Sequence, residues 1–342
     1  MIQRDLLKKN AWKEQRFRSK CAKSRPHTLS VHLPRLIVRY YDLVTDNYEG
    51  GWGQNFHYCP FPVSHLPIRA MMQRHNHYLA HWLSLRPGMR ILDVGCGVGE
   101  PGREIARFAG CKVVGLNINE YQIQRATQYT KEAGLEHLCT YVQGDFMKMP
   151  FEDESFDAVF AIEVLCQAPN LQKAYEEILR VLKKGGKFGF YEEVMTDKFD
   201  VNIPEHRKIR GMIERGTGIA TMQTASEAKE AVRAAGFVVE FEEDTGNIET
   251  DPLKWYWPLE GKTSLTRDWH DWRIVFGLTW GVKFFVYYLV WVLEKIGIEK
   301  RGTLQTLDIL HHCVNGYRGG GRLGIFTPLL MIISKKPERK NR

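Results

Sequence analysis

The run Asp93-Val94-Gly95-Cys96-Gly97-Val98-Gly99 is the part of this chain best suited to hold a small charged ligand. Glycine permits sharp turns and lets the backbone approach a ligand with no Cβ in the way. The acid that leads the run can hold a cationic amino group. A GxGxG run alone is weak evidence, because nicotinamide sites carry one too. Two further segments bear on the choice. A dinucleotide site favours an acid at the end of the second strand, for the ribose hydroxyls; this chain has Gly115-Leu116-Asn117-Ile118-Asn119 there, whose amides can still hydrogen-bond a ribose. Gly144-Asp145-Phe146 follows a third strand-like run, where the acid can accept from an adenine amine while the ring packs against the base. Together these favour S-adenosylmethionine over a nicotinamide dinucleotide, with a structural turn around a buried Asp93 as the bland alternative. The expected cofactor residues are Asp93, Gly95, Cys96, Gly97, Gly99, Asn117, Ile118, Gln122, Asp145, Phe146 and Ile162.

Such a site needs strands that end together. Residues 90–94, 111–116, 140–143, 156–163 and 187–192 read as short buried strands. A helix begins at 104–108, and others cover 121–133 and 171–182. Strands alternating with helical periods imply an α/β, Rossmann-like fold with a mainly parallel sheet, helices on both faces and ligands beyond the carboxyl ends of the strands. Four regions follow: a basic segment 1–35, an aromatic-rich substrate-binding segment 36–90, the cofactor-binding core 91–195 and a helical and mixed extension 196–342.

The formal charge of +8 is concentrated at the ends, with nine Lys/Arg in residues 1–25 against Asp5 and Glu14. Basic ends suit an anionic membrane surface or nucleic acid, or are a solvated extension. A nucleic-acid enzyme would interleave basic and aromatic residues around its cleft. Residues 40–61 carry Asp42, Asp46 and Glu49 but no Lys or Arg, so nucleic acid is not expected as a partner. Seven scattered cysteines without a CxxC pair give no disulfide framework and no metal site. They fit reduced thiols in the cytosol or on the cytosolic face of a membrane. No apolar stretch near the N-terminus reads as a secretory signal.

Several segments resemble the sterol C-methyltransferase family, from about Tyr40 to Pro337: 40–53 its aromatic sterol-binding region, 93–107 its glycine motif, 144–150 its adenine-side motif and 161–169 a second sterol-contacting segment. Residues 191–197, 204–209 and 326–328 also fit. The resemblance implies methyl transfer to a sterol side-chain alkene, most simply at C-24, through a carbocation that needs a dry, electron-rich pocket. It assigns Tyr48, Trp52 and Phe56 to the cation side, Tyr78 and Gln167 to substrate contacts, and Glu49, Asp46 and Glu163 to proton removal. The bland readings are core packing for the rings and a surface ion pair for Glu49.

Four positions depart from the family pattern. His-Glu-His becomes His75-Asn76-His77, Cys-His-Ala-Pro becomes Cys166-Gln167-Ala168-Pro169, the Trp after Tyr-Glu becomes Glu193, and Gly-Asp-Gly becomes Gly216-Thr217-Gly218. The cofactor motifs are intact, which keeps three alternatives open: methylation at C-4 of a 3-keto sterol, methylation of a linear triterpene, and a non-catalytic lipid-binding protein. Residues 274–293 are nearly all apolar and reach membrane-spanning length. Gly277, Gly281 and Lys283 favour instead one aromatic-rich helix that caps the lipid pocket and dips into the membrane surface, with 255–257 as further cover. The expected location is peripheral, on the cytoplasmic face of the endoplasmic reticulum or on lipid droplets. A homo-oligomer is left open.

Overall fold

The computed structural model describes residues 52–299 and 302–338, together with Val38, Tyr41, Thr45, Asp46, Glu49 and Gly50. The basic N-terminal segment and Tyr48 lie outside the described residues. Helix α1 (Ile68–Trp82) precedes β1 (Arg90–Val94), α2 (Glu100–Ala109), β2 (Lys112–Asn117), α3 (Glu120–Glu132), β3 (Cys139–Gln143), β4 (Phe156–Ile162), α4 (Leu171–Val181) and β5 (Leu182–Met195). There follow α5 (Pro204–Thr217), α6 (Ala225–Ala234), β6 (Val238–Asp244), α7 (Trp269–Gly277), α8 (Trp280–Lys295), α9 (Thr303–Leu323) and β7 (Phe326–Lys335).

The strands form one sheet in the order β3-β2-β1-β4-β5-β7-β6. The first five are parallel, and β7 runs antiparallel between β5 and β6. Strands covered on both faces must be apolar throughout; accordingly Ile91, Leu92 and Val94 of β1, and Phe326 and Leu329–Ile333 of β7, are buried. The chain order reverses between β1 and β4, which opens a crevice beyond their carboxyl ends. Val94 pairs with Leu116 on one side and Ala161 on the other, so the loops after β1, β2 and β4 converge there.

The early elements agree closely with the sequence expectation; the later ones differ in three ways. Strands β6 and β7 come from residues 196–342, so that stretch completes the sheet rather than following it. Residues 274–293 do not form one helix: α7 ends at Gly277, Thr279 is extended (ψ 150°), and α8 leaves at 63° to α7. Glycine gives the poorest helical propensity of residues other than proline, and it stands at the break. Trp255 and Trp257 are core residues rather than an outer cover.

Helices α5 and α9 meet through small residues. A Cβ added to Gly216 would lie 2.2 Å from Cys313 Cβ, so only glycine allows this approach. Cys313 sits one turn before Tyr317 on α9, and the close contact therefore sets how far the Tyr317 ring reaches toward the sheet. Replacing Gly216 with Val is expected to destabilise the fold by about 1–3 kcal/mol through overpacking. Urea unfolding monitored by circular dichroism checks it.

Candidate active site

The glycine loop is shaped by its neighbours. Gly95 N–H and Cys96 N–H both donate to Leu116 O (2.8 and 3.1 Å), which ties the loop to the end of β2. Gly95 (φ +73°) has no space for a side chain, because a Cβ would come within 2.2 Å of Val164. Arg103, buried on α2, donates to Val98 O (2.8 Å), Gln54 Oε1 (2.7 Å) and Glu100 Oε2 (2.9 Å), and so joins the loop to the N-terminal segment.

A cavity of about 330 Å³ opens beyond β1 and β4. One end is lined by Asp93, Gly95, Cys96, Gly97, Asn117, Ile118, Gln122, Asp145, Phe146 and Ile162. The other is walled by Trp52, Phe56, His57, Tyr58, Glu163, Gln167, Glu193, Thr217 and Tyr317. The residues at the first end fit S-adenosylmethionine on two observations. Asp93 Oδ2 is buried with no hydrogen-bond partner, which suits a cationic amino group arriving from the ligand. Gly97 (φ +52°) lines the cavity with no protein atom within 4 Å of where a Cβ would stand, so the space is kept for something else. Asn117 Nδ2 donates to Gln122 Oε1 (2.7 Å), leaving its carbonyl oxygen to accept from a ribose hydroxyl. Asp145 Oδ1 takes the N–H of Met147 (2.8 Å), which fixes the turn carrying Phe146.

Burial dominates the electrostatics. It pushes the Asp93 carboxyl up to about 8, against the pull of Arg103. At the far end, burial and the neighbouring Glu193 raise Glu163 well above the carboxylate range. Burial also raises Glu193 toward neutrality, opposed by a hydrogen bond from Tyr317. Behind them, burial pushes Glu192 up to about 8. Glu163 Oε1 accepts from Tyr58 N–H (2.8 Å), and Tyr317 Oη donates to Glu193 Oε1 (2.6 Å). Glu163 has φ +53°, an uncommon conformation for a residue with a side chain; its N–H donates to Tyr191 O (2.9 Å) and holds it there. His57 is lowered to about 4 and His75 well below its ordinary value, both mainly by burial, so these imidazoles are neutral.

The cavity thus gathers most of the expected site residues, but not all. Glu49 is paired with Arg125 (2.7 Å) and accepts from the Tyr129 hydroxyl, away from the lining. Asp46 accepts from Tyr121 Oη (2.6 Å) and is exposed. Neither carboxylate lines the cavity; of the three acids expected to remove the proton, Glu163 does. Tyr78, expected at the substrate, packs edge-on against Trp82 on α1 and is not part of the lining. Gly99 caps α2 and backs onto Tyr141 instead of lining the cavity. Tyr58, Tyr317 and His57 were not expected; Tyr58 and His57 sit in the aromatic run 52–61, a signal that was there to be read, whereas Tyr317 is brought in by the tertiary fold. Three of the four departures from the family pattern, Gln167, Glu193 and Thr217, line this cavity. Asn76 is buried on α1 with neither amide atom hydrogen-bonded.

Strand order, loop geometry and the fit of the β1 end define a class I methyltransferase that uses S-adenosylmethionine. Residues 92–190 match a family model described as a methyltransferase domain, and 274–338 one described as sterol methyltransferase C-terminal. The chain is 44% identical over 306 residues to the sterol 24-C-methyltransferase of Candida albicans, covering 90% of this chain and 81% of that one. It is 46% identical over 305 residues to sterol 24-C-methyltransferase ERG6B of Gibberella zeae, covering 89% and 80%. The crystal structure of the cyclase SpnF shares the fold, with a TM-score of 0.64 at 21% identity over 88% of this chain and 95% of its own. The protein belongs to the sterol 24-C-methyltransferase family.

The Asp93 carboxyl has opposite effects on stability and binding. Its folded value is raised, so the folded state holds a proton that the unfolded state has released, and stability falls as pH rises from about 4 to about 8. Asp93→Asn is expected to stabilise the cofactor-free protein by about 1–2 kcal/mol at pH 8 and by less at pH 6. It should also abolish cofactor binding. Urea unfolding at the two pH values and titration calorimetry check both halves.

Proposed function

We propose that this protein methylates C-24 of a sterol whose side chain carries an alkene at that carbon, working at a membrane surface. The observation that carries the reading is the continuity of the cavity, from the loop after β1 to a wall of Trp52, Phe56, Tyr58 and Tyr317. S-adenosylmethionine, when bound, supplies an electrophilic methyl on a positively charged sulfur. Asp93 is assigned to its amino group, Asn117 to its ribose and Asp145 to its adenine. The electron pair of the alkene forms the new carbon–carbon bond and leaves an electron-deficient carbon in the side chain. Aromatic faces attract such a centre, each by about 0.5–2 kcal/mol depending on how dry the site is. The rings here are mutually braced: Tyr58 meets Trp52, Trp255 and Tyr317 at centroid distances of 6.0, 5.1 and 5.2 Å. A neutral His57 adds no competing positive charge.

Helices α7 and α8 support the membrane part of the reading. On α8 Trp280 (81% exposed), Phe284 (63%), Phe285 (64%), Tyr288 and Trp291 form an outward aromatic surface, and no residue of this helix is fully buried. Trp269 and Phe276 extend it on α7. Among the described residues no single helix is long and apolar enough to cross a membrane. A bent pair presenting aromatic residues, with Arg273, Lys283 and Lys295 nearby, suits the interfacial zone of an anionic bilayer, or of a lipid droplet. A nearly water-insoluble acceptor would then reach the enzyme from the lipid phase.

With labelled S-adenosylmethionine, label is expected in a 24-unsaturated sterol and not in its 24-saturated counterpart, a 3-keto sterol lacking the alkene or squalene; mass spectrometry and NMR of the product locate the methyl. Label confined to the 3-keto sterol or to squalene would replace this acceptor with another. Trp52→Ala should lower kcat by roughly 30-fold, the equivalent of about 2 kcal/mol of lost cation stabilisation, with cofactor affinity unchanged. The double variant F284D/F285D should no longer float with vesicles of phosphatidylcholine and phosphatidylserine, while keeping activity on detergent-dispersed sterol. Unchanged flotation would remove α8 from the contact.

A further inference from the structure

Glu193 stands where the family pattern has tryptophan, and the structure turns that exchange into an arrangement of groups. The side chain projects from the end of β5 into the acceptor end of the cavity, with only 5% of its surface accessible. Tyr317 Oη, reaching across from α9, donates to Oε1 at 2.6 Å. Oε2 has no partner among the described residues. The titratable groups set against this carboxyl are Glu163 after β4, Cys166 in the turn Leu165–Gln167, the adjacent Glu192, and Cys313 and Tyr317 on α9. None of them is a cation, so this is not half of an ion pair. A carboxyl buried without a cation is costly, and a tryptophan in the same place would avoid that cost.

We propose that Glu193 accepts the proton whose loss ends methyl transfer, with Tyr317 as its positioning residue. The inference rests on the proposed sterol reaction. In that reaction the π pair of the alkene binds the incoming methyl carbon, and the carbon–sulfur pair stays on sulfur. The electron-deficient carbon is then quenched by the electron pair of a neighbouring C–H bond, which becomes a C=C bond. The released proton goes to Oε2 of Glu193, the oxygen that Tyr317 leaves open. Glu163 faces the same space; its Oε1 takes the Tyr58 N–H, which favours the ionised form, but burial and the neighbouring Glu193 outweigh that bond and hold its proton on well above the carboxylate range. Two adjacent carboxyls with one proton between them leave one member free to act as base. Glu193 is the one with a hydroxyl donor that favours its ionised form. Asn76, where the family pattern has an acid, lies on α1 and does not line the cavity; one acid has gone from the helix and another has appeared at the strand end.

The test compares wild type with E193Q, E193D, E163Q and Y317F, using S-adenosylmethionine and a 24-unsaturated sterol, with calorimetry of cofactor binding and thermal unfolding as controls. Wild-type kcat should rise with pH through the neutral range and then level. E193Q should lose at least about 100-fold in kcat, lose that rise, and divert product toward a hydroxylated sterol as water takes the place of the base; cofactor affinity should be unchanged. E193D should recover the rise and part of the rate. Y317F removes a donor that favours the ionised form, so its rise should move to higher pH while the plateau rate stays within about tenfold of wild type. E193Q with a normal rate and pH profile overturns the proposal, as does E163Q abolishing a rise that E193Q retains. If E193Q does not fold, Y317F decides, and an unmoved profile overturns the assignment. A wild type that methylates no sterol, while still binding S-adenosylmethionine, overturns the sterol reading itself and is distinguishable from a failure at Glu193 alone.

Discussion

Taking a carboxylate out of water costs several kcal/mol unless a charge or a set of donors compensates for it, and four carboxyls around this cavity are buried with little of either. Asp93 has only the indirect influence of Arg103, and one of its oxygens is unpaired. Glu163, Glu192 and Glu193 crowd together at the ends of β4 and β5, each raised by burial. The rest of the structure can be understood as what makes this arrangement tolerable. Parallel strands buried on both faces supply a core dense enough to hold the loops in place. Backbone N–H groups of Tyr58 and Cys166 and the hydroxyl of Tyr317 take the carboxyl oxygens that water would otherwise solvate. The acids at the two ends have opposite uses. Asp93 has an unpaired oxygen suited to a positive charge arriving with the cofactor, whereas Glu163 and Glu193, raised by burial, are suited to taking up a proton.

Holding those groups requires contacts between segments far apart in the chain. Tyr58 and Glu163 are separated by 105 positions and Glu193 and Tyr317 by 124. The second link depends on α9 lying against α5 closely enough that Gly216 touches Cys313. It also depends on β7, which follows α9 directly and locks between β5 and β6. The strand carrying Glu193 and the helix carrying Tyr317 are therefore braced by the same C-terminal segment. This explains physically why the stretch after residue 195 cannot be treated as an appendage.

How much of this was legible in the sequence depended on how local the determinant was. The loop at 93–99, the first five strands and the placing of Asn117, Asp145 and Phe146 at the cavity were legible because glycine spacing and apolar runs express themselves within a few residues. Glu49 and Asp46 lie off the cavity lining for the opposite reason. Their surroundings are set by Arg125, Tyr129 and Tyr121 on α3, about 75 to 80 positions away, and nothing near them in sequence announces those partners. Tyr78 lies off the lining because of helix phase: α1 buries His75, Asn76 and Leu79, while Tyr78 packs along the helix against Trp82. The broken pair α7–α8 was half legible. Gly277 and Gly281 were visible as weak points, but composition alone does not say which becomes the bend. Tyr317 was invisible, since a tyrosine in a long helix gives no hint of the carboxyl it will meet.

The distribution of the departures from the family pattern then acquires a physical sense. Methyl donation makes demands on the β1–β2–β3 side of the crevice, where the charge and shape of the cofactor are fixed, and that side keeps the family's residues. The acceptor side has only to exclude water, favour a developing cation and dispose of a proton, and these tasks can be shared among different side chains. Gln167 has replaced an imidazole and now donates to the Tyr41 hydroxyl (2.9 Å), so it closes the wall without titrating. Thr217 has replaced an acid and turns its hydroxyl back to Ile213 O (3.0 Å), so it too has left the proton inventory. With an imidazole and an acid gone from the lining, the titratable carboxyls that still face the acceptor are Glu163 and Glu193. Exchanging a tryptophan face for a carboxyl gives up some cation attraction, but Trp52, Phe56, Tyr58 and Tyr317 still supply aromatic faces. The aromatic wall therefore keeps four rings after the exchange, while the lining gains a carboxyl beside Glu163.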